Sequence, residues 1–196
     1  MKDVAVLFAR QDSIYKTLAN CDVWDIDRNA LNYQGKNPII AHPPCRAWGK
    51  LAHFANPRPG EKDLARWSVQ MIRRNGGVLE HPSASKLWPD MDLPKPGCKD
   101  QWGGWTLPVL QFWWGHLAEK STRLYIVGVD PHEIPLIPTV SGSPTHVISS
   151  SLAKSGRPGL SQNNRERTPP AFARWLIDLA LRCKDPSKQH EREDVF

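Results

Sequence analysis

Pro38-Ile39-Ile40-Ala41-His42-Pro43-Pro44-Cys45 and Gly76-Gly77-Val78-Leu79-Glu80-His81-Pro82 bracket a single helical pattern. Between them, from Glu61 to Asn75, Leu64, Trp67, Met71 and Ile72 recur at helical spacing, Glu61 and Asp63 occupy the first turn, and the two glycines supply a C-terminal stop. Residues 38–41 read as a buried strand that Pro43 and Pro44 end, because proline has no N–H to give a ladder. Val78-Leu79-Glu80 reads as a second short strand ended by His81-Pro82. Strand, loop, helix, strand is a crossover unit, which is right-handed in nearly all cases and makes its strands parallel. The carboxyl ends of the two strands then lie side by side, and Cys45 and Glu80 with them.

Outward from this unit the pattern stays α/β. Residues 4–9 form an apolar run of the kind buried on both faces, and a strand at 23–26 runs into Asp25 and Asp27. Strands are expected at 108–114 and 123–129, joined by the polar turn Gly115 to Thr122. Pro and Gly cluster at 56–60, 94–104 and 131–144, and residues 130–165 read as irregular. A last helix is predicted with Thr168 as N-cap and Pro169 at its first position, carrying Phe172, Trp175, Leu176 and Leu179 on one face. The expectation is one α/β domain over residues 1–183, with a charged tail at 184–196 that frays.

Composition narrows the function classes. The apolar share is 40% and no run is long enough to cross a bilayer, and the chain enters its first strand without a leader-like segment, so a cytoplasmic protein with no membrane partner is expected. The four cysteines, Cys21, Cys45, Cys98 and Cys183, lack Cys-x-x-Cys spacing, so free thiols are expected and neither a disulfide framework nor a metal site. A net charge of +6 with nine tryptophans suits an anionic partner such as a nucleic acid or nucleotide, and suits equally a basic surface that binds nothing.

Ligands of open parallel sheets bind beyond the carboxyl ends of the strands, where Asp25, Cys45 and Glu80 fall. Cys45 is either a small buried hydrophobe or a nucleophile, and the neighbouring His42 and Arg46 would favour thiolate. Glu80 is either a loop carboxylate capping a backbone amide or a partly desolvated acid that holds its proton at neutral pH. Asp25 is placed to meet a ribose hydroxyl, unless it and Asp27 are simply solvated. Gln111-Phe112-Trp113-Trp114-Gly115-His116 reads first as core aromatics on a strand, yet adjacent tryptophans there point to opposite faces, and the second reading has one of them stacking on a base. Arg10, Lys16, Arg46, Lys50, Arg58, Lys120 and Arg123 lie near the same rim and suit phosphate contacts, although each alone is more often a solvated surface charge.

The run Pro43-Pro44-Cys45, followed by Glu80-His81-Pro82 and then by Arg123-Leu124-Tyr125-Ile126-Val127-Gly128, resembles the catalytic half of the carbon-5 cytosine DNA methyltransferases. In that family a Pro-Cys supplies the nucleophile, a Glu-Asn-Val the acid, and a Gln-x-Arg-x-Arg segment leads into a strand ending in Ile-Val-Gly. Short phage-encoded proteins of this methyltransferase-like type resemble the chain more closely. The resemblance implies a compact Rossmann-like, mostly parallel sheet with flanking helices and an antiparallel hairpin, working in the host cytoplasm. It implies Cys45 as the nucleophile on carbon 6 of a pyrimidine, Glu80 as the ring contact and Arg123 as the second arginine of the later motif. S-adenosylmethionine would meet Phe8, Asp12, Ser13 and Asp25, and DNA would meet Arg46, Lys50, Trp114, His116 and Lys120.

The chemistry asks for these residue types in its own right, since carbon 5 of a pyrimidine becomes nucleophilic only after a thiolate adds to carbon 6. The chain departs from the family in several places: Ala9 to Tyr15 contains no glycine, the span from the first strand to Cys45 is short, Glu119 and Ser121 replace the glutamine and first arginine, His81 replaces the asparagine, the Gly-Asn-Ser-Val signature is absent, and residues 130–165 are short for a target-recognition domain. Thymidylate synthases and their hydroxymethylase relatives share a Pro-Pro-Cys-His stretch, but Arg46 stands in place of the histidine. A zinc deaminase needs Pro-Cys-x-x-Cys, and position 48 is Trp. Three functions follow: a DNA cytosine-modifying enzyme, a non-catalytic methyltransferase-derived phage factor that binds DNA or protein, and an enzyme of free pyrimidine nucleotides.

Overall fold

Six strands form one sheet in the order β2-β1-β3-β4-β6-β5. They are β1 (Val4–Leu7), β2 (Cys21–Trp24), β3 (Ile39–Ala41), β4 (Gly77–Pro82), β5 (Trp105–Leu110) and β6 (Ser121–Val127), within a computed structural model that describes residues 3–49, 52–148 and 156–186. β1 pairs parallel with β2 and β3, and β3 parallel with β4. β6 runs antiparallel to both β4 and β5, so five of the six strands point the same way and the sheet is mixed α/β, mostly parallel. The crossover from β3 to β4 runs through α1 (Glu61–Asn75), as the quoted stretches predict. Gly77 is demanded by this crossover: its φ is +130° and a Cβ there would sit 2.1 Å from the Ile39 carbonyl oxygen.

Alternation along the strands divides the core into two layers. Val4, Val6, Ile40, Val78, Leu124 and Ile126 face α4 (Pro170–Arg182), which buries Phe172, Trp175, Leu176 and Leu179. Ala5, Leu7, Ile39, Leu79, Tyr125 and Val127 face α1, with Trp48 and with Trp88 of α2 (Leu87–Asp90). α1 is turned slightly from its expected face: Ala65, Ser68, Val69 and Ile72 are buried, whereas Leu64 and Trp67 are half-buried.

Several boundaries differ from expectation. β5 stops at Leu110, and Gln111–Trp114 form a 3-10 turn closed by Gly115 at φ +88°. Pro108 is tolerated in β5 because that strand is the sheet edge. α4 begins one residue later than predicted, with Pro169 as its N-cap and Pro170 at the first position. The last helix also does not release the chain at Cys183: the Lys184 amide donates to the Gly128 carbonyl at 2.7 Å, while residues 187–196 lie outside the described residues. Among the described residues, no helix is long and apolar enough to cross a membrane.

Candidate active site

β3 ends at Ala41, and His42-Pro43-Pro44 carry the chain to Cys45, the residue that opens a 3-10 turn at Arg46–Trp48. Trp48, fully buried, pins that turn by donating its amide to the Cys45 carbonyl at 2.9 Å. Cys45 itself is solvent-exposed. One strand over, Glu80 leaves β4 on the Val78 face with only 13% of its side chain exposed. Its Oε2 lies 3.1 Å from His42 Nδ1, its Oε1 accepts from Gln111 Nε2 at 3.0 Å, and His42 Nε2 lies 3.1 Å from the Tyr15 hydroxyl. Tyr15 is buried and its hydroxyl is raised well above its ordinary value, so it stays protonated and is placed to donate to Nε2, while Nδ1 faces Glu80.

Burial pulls the Glu80 carboxyl upward, but the His42 hydrogen bond and then the Lys120 charge outweigh it and hold the group at about 2. The expected proton-holding acid is therefore an ionised carboxylate. Cys45 moves the other way: the protein packed round its sulfur and next the Glu80 charge push the thiol up, against the opposing pull of Lys120, even though the residue surface is exposed. Arg46 does not supply the expected thiolate-favouring charge, because its guanidinium makes a bidentate bond to buried Glu61 at 2.6 and 2.5 Å. His42 is equally committed, to Tyr15 and Glu80.

Arg123 is not brought to the site. It lies on the Tyr125 face of β6, opposite to Glu80, with its guanidinium 5.6 Å from the Trp88 ring centroid. Trp114 offers no face to a base: it is 5% exposed and packed on Phe172 and Trp175 at 4.7 and 5.0 Å. His116 is buried too, with Nδ1 against the Ala118 backbone, and burial pulls it below its ordinary value, so it cannot serve as a surface phosphate contact. Lys50 lies outside the described residues. Lys120 Nζ donates to the Arg167 carbonyl at 3.2 Å, and burial pulls its ammonium down while the Glu80 charge holds it up.

Phe8, Asp12, Ser13 and Asp25 stand where the cofactor was expected, but each is committed within the chain. Phe8, at φ +59°, meets Trp67 edge-on at 5.9 Å. Asp12 bonds Arg10 and Arg167, which hold it at about 2. Ser13 Oγ caps the Tyr15 amide, and Asp25, 5% exposed, accepts from Lys16 and from the amides of Asp27 and Arg28. In this arrangement they do not fit an S-adenosylmethionine cradle.

No family model, curated protein or solved structure matches the chain.

Two further groups complete the site. Glu166, at the end of α3 (Gln162–Glu166), bonds Arg10 at 2.6 Å and acts electrostatically on Cys45, Lys120 and Arg46. Gln111, fully buried, orients Glu80. Arg10, Asp12, Gln162, Asn163 and Glu166 line an open hollow of about 410 Å³ beside the cluster. A larger hollow of about 540 Å³, lined by Val129, Glu133 and Leu181 to Lys184, lies toward the amino end of β4 and has no part in this chemistry. Among the described residues, no group of three or more His, Cys, Asp or Glu is placed to hold a metal ion.

Proposed function

We propose that the Cys45–Glu80 cluster is a pyrimidine-modifying site on a methyltransferase-like, Rossmann-like domain, with cytosine in DNA as its preferred base. The observation that carries this reading is a cysteine at the surface and an oriented, ionised carboxylate on neighbouring parallel strand ends. The insertion of antiparallel β6 between β4 and β5 supports the fold assignment, since an antiparallel hairpin was expected there. Cys45, once deprotonated to solvent, adds to carbon 6: the sulfur–carbon bond forms, the carbon 5–carbon 6 double bond breaks, and the electron pair moves toward carbon 5 and the ring nitrogen 3 side. A proton from water neutralises the charge that reaches nitrogen 3, and the ionised Glu80 then accepts from that N–H and from the cytosine 4-amino group, which holds the ring in place.

A duplex containing 5-fluorocytosine tests the reading. With S-adenosylmethionine added, wild type is expected to form an adduct that survives a denaturing gel, because a group added at carbon 5 leaves fluorine where a proton would otherwise depart, and Cys45→Ser none. Identical behaviour of the two proteins overturns it. A second reading, a methyltransferase-derived factor that binds DNA or a host protein without catalysis, is favoured by the commitment of Asp12, Ser13 and Asp25 to internal bonds. It predicts duplex binding unaffected by Cys45→Ser and no heat evolved on titration with S-adenosylmethionine. A site for free pyrimidine nucleotides would form the adduct with the fluorinated monophosphate and not with the duplex.

A further inference from the structure

We propose that Lys62, Arg66, Lys86 and Arg123 form a phosphate-docking surface on the α1 side of the strand-end rim, and that its occupant is the backbone of duplex DNA. The inference rests on the reading of the Cys45–Glu80 cleft as a site for a base in DNA, and it adds the surface that carries the strand. Elsewhere on the rim the cations are paired within the chain: Arg10 bonds Asp12 and Glu166, Lys16 bonds Asp25, and Arg46 bonds Glu61. Each meets a carboxylate of its own, so those positions offer a polyanion little net charge.

The α1 side is built round two buried tryptophans, Trp48 and Trp88. Lys62, in the first turn of α1, holds its Nζ 4.7 Å from the Trp48 ring centroid, and Arg66, one turn later, its guanidinium at 5.3 Å. Arg123 lies opposite His81 in the β4–β6 ladder, with its guanidinium 5.6 Å from the Trp88 ring centroid. Lys86 is exposed and links the two rings: its amide donates to the Trp48 carbonyl at 3.0 Å, and it caps α2, which carries Trp88. The Trp48 amide in turn donates to the Cys45 carbonyl, so the surface is joined to the cleft. Asp63 and Asp90 oppose these four cations, and both bind Arg66. Among the described residues, Lys62, Lys86 and Arg123 form no ion pair and their side chains donate no hydrogen bond, which leaves positive charge in surplus. A cation resting on an aromatic face has already lost part of its freedom, so a phosphate meets a partly ordered donor. An acidic protein segment would need carboxylates in register with these groups, whereas a duplex offers a negative charge every ~1.7 Å of its axis.

Fluorescence anisotropy of a labelled duplex, titrated at salt concentrations from about 50 to 200 mM, tests the surface without any chemistry at Cys45. Lys62→Gln/Lys86→Gln/Arg123→Gln is expected to bind at least about tenfold more weakly at the lower salt, and the slope of log affinity against log salt to fall by about 2–3. The loss should be alike for duplexes of different sequence, since phosphate contacts do not read bases. The exposed pair Lys62→Gln/Lys86→Gln, which leaves the β4–β6 ladder untouched, is expected to lower the slope by about 2 and decides the matter should the triple variant fail to fold. Lys36→Gln/Arg174→Gln/Lys184→Gln makes the same charge change at exposed positions away from this rim, and is expected to bind within about threefold of wild type. A wild type that binds no duplex, variants that keep the wild-type slope, or a control set that lowers it as much would each overturn the proposal. Adduct formation plays no part in the titration, so a failed adduct beside a slope that depends on these cations overturns the pyrimidine chemistry and leaves the surface standing.

Discussion

His81 gives the sharpest stability prediction. It lies in β4 with no solvent exposure, and neither ring nitrogen has a hydrogen-bond partner among the described residues. Burial lowers its pKa from 6.5 to about 4, against the upward pull of Glu80. Above pH 6.5 the ring is neutral in both folded and unfolded chains. As pH falls through that value the unfolded chain takes up a proton that the folded one refuses, so stability is lost progressively until about pH 4. A displacement of about 2.5 units at 1.36 kcal/mol each makes the loss about 3 kcal/mol, a large part of the 5–15 kcal/mol that holds a typical domain. His81→Leu keeps the volume and removes the titration. Urea unfolding followed by tryptophan fluorescence, at several pH values between 7.5 and 4, should show the variant gaining about 3 kcal/mol on wild type at the acid end. A wild-type-to-variant difference that stays constant across that range would refute the reasoning.

Two other substitutions probe the elements that hold the site. Gly77→Ala would drive a Cβ into the Ile39 carbonyl at a φ that L-residues avoid, and should destabilise by about 3–5 kcal/mol, read as a large drop in melting temperature. A variant that melts with wild type would show that the β3–β4 junction can shift. Tyr15→Phe removes the donor to His42 Nε2 and should cost about 1–3 kcal/mol in urea unfolding while leaving the fold intact by circular dichroism. An unchanged unfolding midpoint would mean that His42 is not held from that side.

The central crossover was legible because its signals are local. Pro43 and Pro44 end one strand, Gly76 and Gly77 end the helix, and the two strands follow from handedness. The partners of the site residues were not legible, since they come from distant parts of the chain. Glu80 was expected to hold a proton because its burial could be guessed, whereas its hydrogen bond to His42 and the charge of Lys120 depend on the folded topology. Glu166 gave no signal at all in a stretch without periodicity, yet it bonds Arg10 from the far end of the chain. Arg46 looked free for the thiol only because a pattern cannot show that Glu61, in the first turn of α1, turns inward to take it. Trp113 and Trp114 would alternate on a continued strand, and the 3-10 turn closed by Gly115 instead sends Trp114 into the α4 layer.

Addition of the Cys45 thiolate to carbon 6 loosens the hydrogen on carbon 5 whether or not any group is then transferred. Incubating duplex DNA with the protein in deuterium oxide, digesting it and weighing its nucleosides therefore measures the addition step alone. Deoxycytidine should gain one mass unit at carbon 5 with wild type and none with Cys45→Ser or Glu80→Ala. Cytosine that keeps its hydrogen in the presence of wild-type protein bound to the duplex would contradict a nucleophilic role for Cys45.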